Sequence, residues 1–172
     1  MRTNPPYRSI AVANWFIKNS PGLTPLKLQK LIYYAHGWHL TLKNVPLIDE
    51  VVQAWEYGPV IQNVYHEFKE FGRNPIPADA LGTVFQMTPD RKIRILTPHI
   101  PSEDQQTQDF LKEILKVFGS FSGIQLSSAT HKPGTPWEKI HSQNPNRRGM
   151  EIPDRMIKSY FDEIAKAQNS GG

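Results

Sequence analysis

Histidines one helical turn apart, serines just ahead of a histidine, and carboxylates beside aromatics are the groups in this chain that could do chemistry. His36 and His39, joined by His66 or His131, would offer imidazoles to a divalent metal. Their spacing is not H-E-x-x-H and brings no obvious carboxylate, so no metal is expected. Ser127, Ser128 and His131 would set a hydroxyl near a base, but this segment names no acid to orient the imidazole. The same residues also read as a polar helix end closed by Thr130 and His131. Glu56, Glu67 and Glu138 fall at helix starts or on polar faces, where they have structural reasons to exist. The chain has no Cys, and it shows neither a G-x-S-x-G elbow nor a Gly-rich phosphate loop. No catalytic residue and no cofactor is expected.

The elements that would position these groups can be read from periodicity. A first helix is expected over about Ser9–Lys18, with Ile10, Ala13, Trp15 and Phe16 among its apolar positions; Ser-Pro-Gly breaks it. A second begins with Thr24 as cap and Pro25 at its first position and runs to about Leu42. Its apolar face holds Leu28, Leu31, Ile32, Ala35, Trp38 and Leu42, with His39 among them. Two strand-like runs, PLI and VVQAW, follow around a turn at Asp49-Glu50. The stretch WEYGPVIQNVYHEFKEFG predicts an amphipathic helix with Gly58 as cap, Pro59 at its first position and Gly72 as terminator. Val60, Ile61, Val64, Tyr65, Phe68 and Phe71 share its apolar arc. The Trp55–Pro59 corner is either a bare strand-to-helix turn or an aromatic surface anchor.

Further on, Thr83–Met87 and Lys92–Leu96 predict a hairpin across Thr88–Arg91. Ser102 with Gln105, Ser122 with Gln125, and Thr135-Pro136-Trp137-Glu138 each have N-terminal capping spacing, and each predicts a helix. Phe110, Leu111, Ile114, Leu115 and Phe118 form the stripe of the first of these. Pro153 opens a last helix with Met156, Ile157, Tyr160, Phe161 and Ile164 on one side. The fold class expected is α+β: a mainly helical single domain with a small antiparallel β-sheet, over residues 9–167. Its core joins the faces led by Leu31, Val64, Ile114 and Tyr160. Residues 1–8 and 168–172 are expected to be flexible tails.

Composition limits the function classes. A chain of 172 residues is expected to be one domain. No leader-like apolar segment and no run of ~20 apolar residues is present, which predicts a soluble cytoplasmic protein without a membrane partner. The formal charge of +4 is spread over the chain. Its densest basic stretch, Arg147, Arg148, Arg155 and Lys158, is interrupted by Glu151 and Asp154, so nucleic acid is not the expected partner. A helix-turn-helix is disfavoured because strand-like sequence separates the second helix from Pro59.

Three segments, LTPLKLQKLIYYAHGWHL (23–40), AWEYGPVIQNVYHEFKEFG (54–72) and LSSATHKPGTPWEKI (126–140), occur in an order and spacing that resembles the Panacea domain family. These are the SocA-like antitoxins, also met as phage-associated proteins. The likeness runs from about Thr24 to Phe161 and departs at Ala129, where a bulkier apolar residue is expected. The resemblance implies a non-enzymatic, mainly helical domain that neutralises a cognate toxin by direct stoichiometric contact. A proteolytic adaptor that delivers the toxin to a host protease is within the same family's reach. The partner-binding candidates are Tyr33, Trp55, Tyr57, Gly58, Pro59, His131 and Trp137, and the exposed aromatics among them are the anchors to test.

Overall fold

A computed structural model describes residues 3–170. Two helices open the chain: α1 (Ser9–Asn19) and α2 (Pro25–Lys43). In α1 every residue from Ser9 to Ile17 is buried, as for a helix covered on all sides. Thr24 caps α2 by accepting from the Lys27 amide, with Pro25 at the first helical position. α2 is the central element. Leu28 to Gly37 are buried without interruption, because α1, α4 (Gln105–Phe118), α5 (Gly123–Thr130) and α7 (Asp154–Ser170) all pack around it. At Gly37 an added Cβ would lie 2.3 Å from the Phe161 ring, so glycine there lets α7 approach α2 closely. Leu42, expected on the apolar face, is exposed instead: α2 runs past the edge of the core before Asn44 ends it.

A three-stranded antiparallel sheet lies beside α2 in the order β2 (Gly58–Ile61), β1 (Val52–Trp55), β5 (Met150–Ile152). Here the structure corrects the expectation of a helix from Pro59. Gly58–Ile61 is a strand paired with β1, and α3 (Gln62–Phe68) starts only after it, continuing as a short 3-10 turn to Phe71 and ending at Gly72 with positive φ. Proline is tolerated because β2 is an edge strand, where no neighbouring strand needs its missing N–H. The apolar arc is divided accordingly: Val64 and Phe68 enter the core, while Tyr65 stays exposed. The PLI run forms no strand; Ile48 makes an isolated bridge to Tyr7. Tyr7, within the stretch 1–8 expected to be loose, is buried and exchanges backbone hydrogen bonds with Leu47 and Asp49. The outermost residues of both expected tails lie outside the described range.

β3 (Val84–Met87) and β4 (Ile93–Leu96) form the expected hairpin as a separate two-stranded ribbon. The cap of α4 is Asp104 rather than Ser102; its carboxylate accepts from the Thr107 amide and from the Tyr7 hydroxyl at 2.6 Å. Ser122 and Gln125 form the full reciprocal capping box of α5, and Thr135 caps α6 (Pro136–Gln143). Leu31, Val64, Ile114, Ile157 and Phe161 meet in one core, with Tyr160 packed against it. The class is therefore mixed α+β and mainly helical. No helix among the described residues is long and apolar enough to cross a membrane.

Candidate partner-binding corner

β1 and β2 are joined by only Glu56 and Tyr57, and the hairpin they form is gripped along its length by side chains from elsewhere. The Trp137 indole donates to the Trp55 carbonyl at 2.7 Å. Ser127 Oγ donates to the Tyr57 carbonyl at 2.9 Å. Lys30 Nζ donates to the Pro59 carbonyl at 2.9 Å. The Gln29 amide both accepts from the Ile61 N–H at 2.9 Å and donates to the Ile61 carbonyl at 3.0 Å. Carbonyls at every second residue, from 55 to 61, are thus each held by one side chain. A buried backbone polar group left unpaired costs ~1–3 kcal/mol, so these four donors fix the corner rather than decorate it.

Gly58 is forced by this arrangement. Its φ is +106°, and a Cβ there would lie 2.7 Å from Lys30 Nζ and 2.8 Å from Thr130 Oγ1. Thr130 and Thr135 close the opposite wall: Thr130 Oγ1 donates to the Ser127 carbonyl at 2.7 Å and Thr135 Oγ1 to the Thr130 carbonyl at 2.6 Å. Trp137 stacks on the His141 ring at a centroid distance of 4.4 Å and meets the His131 ring edge-on at 4.0 Å.

The electrostatics are unusual for so small a site. Lys30 is fully buried and no carboxylate among the described residues pairs with it; burial pushes its amine down to about 7. His131 is also held below the ordinary imidazole value, first by burial and then by the neighbouring Lys30 and His141. Its Nε2 is buried without a hydrogen-bond partner. Burial in this wall therefore shifts two basic groups toward their neutral forms.

The structure brings six of the seven candidates together here and separates one. Tyr57 projects from the turn, 69% exposed. Trp55 is half-buried, its ring 4.8 Å from that of Tyr65. Gly58, Pro59 and Trp137 are buried parts of the frame, and His131 is half-buried against Trp137. Tyr33 lies apart: at 2% exposure it packs against Tyr34 and Phe161 in the core, so it is not among the exposed aromatics. Gln29 and Lys30 had no place among the sequence candidates. The signal available for them was two polar residues set between Leu28 and Leu31, inside a run that a central helix buries throughout.

The other chemical candidates have separate tasks. His36 Nε2 meets Asp154 Oδ1 at 2.8 Å and His39 Nδ1 donates to the Val45 carbonyl at 2.6 Å, so the two rings point to different partners. Among the described residues no three of His, Asp and Glu gather as a metal site would need. The Ser127 hydroxyl is committed to the Tyr57 carbonyl. Glu67 accepts from the Thr83 amide and Glu138 from the Gly134 amide.

All three sequence segments that carried the family resemblance meet at this corner: the first supplies Gln29 and Lys30, the second the hairpin, the third Ser127, Thr130, His131 and Trp137. The model of the family described as antitoxin SocA-like, Panacea domain, matches residues 28–138. Antitoxin SocA of Caulobacter vibrioides (strain NA1000 / CB15N) is 32% identical over 161 residues, covering 88% of this chain and 80% of that protein. No solved structure matches. The chain belongs to the Panacea domain family of SocA-like antitoxins.

Proposed function

We propose that this protein is the antitoxin of a toxin–antitoxin pair and that it neutralises its cognate toxin without turnover, by stoichiometric binding at the Trp55–Tyr57 corner. The observation that carries this reading is a turn whose backbone is held by four buried side-chain clamps while its tip, Tyr57, stays in solvent. A preorganised aromatic presented on a rigid frame loses little entropy on binding, and such residues dominate the energy of stable complexes. Tyr65 and the edge of Trp55 extend the same surface. The frame's own groups act through position: Lys30, Ser127 and Trp137 hold the turn, and Gly58 admits Lys30. Nothing in this role calls for a catalytic group.

A second reading is an adaptor that hands the bound toxin to a host protease. It requires a second exposed surface, and the β3–β4 ribbon, a separate sheet, offers one. Co-expression with the product of the adjacent gene separates the two readings, with growth rescue and partner abundance measured over a range of antitoxin levels. Rescue at unchanged partner level supports blocking. Rescue only through protease-dependent loss of the partner supports the adaptor, and absence of both complex and rescue refutes both readings.

A further inference from the structure

Phe85, Met87, Ile93 and Ile95 are 65–72% exposed. They are not scattered: the ribbon register sets Phe85 opposite Ile95 and Met87 opposite Ile93, and alternation puts all four on one face. The opposite face carries Val84 and Leu96, which are half-buried, together with Gln86 and Arg94.

The ribbon is firmly rooted. The buried Asn14 amide donates to the carbonyls of Gly82 and Pro98, at 2.9 Å each, and its oxygen accepts from the Gly82 N–H at 2.7 Å, so a single side chain ties both ends of the ribbon to α1. Glu67 of α3 accepts from the Thr83 N–H at 2.7 Å. An apolar face built and anchored in this way, and left uncovered among the described residues, is a candidate interaction surface.

We propose that a segment of another protein, alternating apolar residues with carboxylates, adds as a third strand to the free edge of β4. Among the described residues β3 and β4 pair only with one another, so that edge is free to give backbone hydrogen bonds. Charge selects the occupant. The ribbon and its turn carry Arg91, Lys92 and Arg94 against Asp90 alone, and Asp90 is engaged by Lys92 at 3.0 Å, which leaves Arg91 and Arg94 without a carboxylate among the described residues. In the added strand the apolar residues would lie beside Ile93 and Ile95 and extend the cover over their face, while the alternate carboxylates would lie on the opposite face beside Arg94. A second copy pairing through the same edge would set like cations beside one another, which is repulsive.

The probe is a short labelled peptide alternating Glu with Val and Leu, alongside its counterpart with Lys for Glu, titrated with the full-length protein by fluorescence anisotropy. The acidic peptide should bind at least tenfold more tightly than the basic one. Its affinity should fall at least tenfold in Phe85→Ser/Ile95→Thr. A similar fall is expected in Arg91→Asp/Arg94→Glu, which leaves the apolar face intact and uses an Asp that tolerates the positive φ at position 91. Equal affinity for both peptides, or affinity unchanged by either pair of substitutions, overturns the proposal. A concentration-dependent dimer abolished by the first pair, without acidic-peptide binding, would assign the face to a second copy and also overturn it. Binding to phosphatidylserine vesicles, lost in the same variants and again without acidic-peptide binding, would overturn it in favour of a lipid surface.

Discussion

The two hairpins, β1–β2 and β3–β4, have strands of equal length and opposite surroundings. They flank the same helix: Tyr65 of α3 packs its ring, tilted, against Trp55 of the first, and Glu67, about 200° further round, holds the base of the second. The first hairpin is clamped by side chains of α2, α5 and α6, and its tip is its most exposed part. The second is tied at its base by Asn14 and Glu67 and exposes a whole apolar face. The difference teaches that a strand pattern says which side chains share a face, and only the packing of other elements says whether that face is covered.

Removing a clamp should have the largest effect. Trp137→Ala deletes a buried indole and leaves the Trp55 carbonyl without its donor. It should cost about 3–5 kcal/mol of stability, read by denaturant unfolding. An effect below about 1 kcal/mol would mean that the clamp does not hold the corner.

The pH dependence of stability comes next. Between pH 7 and 10 the unfolded chain keeps the Lys30 proton that the folded chain has released, so the unfolded state binds more protons and stability rises with pH. The gain should be about 3 kcal/mol by pH 9.5, and Lys30→Met should flatten the curve over this window. His131, held below its ordinary value, adds a further loss as pH falls below about 6.5, with the same sign. A stability that falls between pH 7 and 9.5 would contradict the buried, unpaired amine.

The smallest effect is expected on the ribbon. Phe85→Ser alters an exposed side chain and should change stability by less than about 0.5 kcal/mol, despite replacing a large aromatic. A loss as large as that of Trp137→Ala would show that the ribbon face is covered in the free protein, and the contrast between the hairpins would fail.

How much of this was legible in the sequence follows the same division. Helices with a cap and a stripe were readable, such as α5 with Ser122 and Gln125 and α7 with Ile157 and Phe161. Gly58-Pro59 marked a break correctly but misled on what followed. Proline at a first helical turn and proline on an edge strand look alike in sequence, and the choice was made by Lys30 and Gln29, distant partners that take the outward carbonyls of Pro59 and Ile61. β5 is three residues long and too short to carry a period. Asn14 sits in an apolar helix with no local sign that both ends of the ribbon hang from it. Among the candidate aromatics, residue type could not separate Tyr33 from Tyr57, because exposure is set by the elements packed around α2 and not by either residue's neighbours in sequence.

The central claim is that the corner meets its partner through a side chain that the fold itself does not need. Tyr57→Ala tests it, with the dissociation constant for the adjacent-gene product and the melting temperature measured on the same preparation. The account predicts binding weakened about 30-fold, some 2 kcal/mol, with the melting temperature unchanged. Binding as tight as that of the unsubstituted protein, or a fall in melting temperature that accounts for the loss, would contradict it.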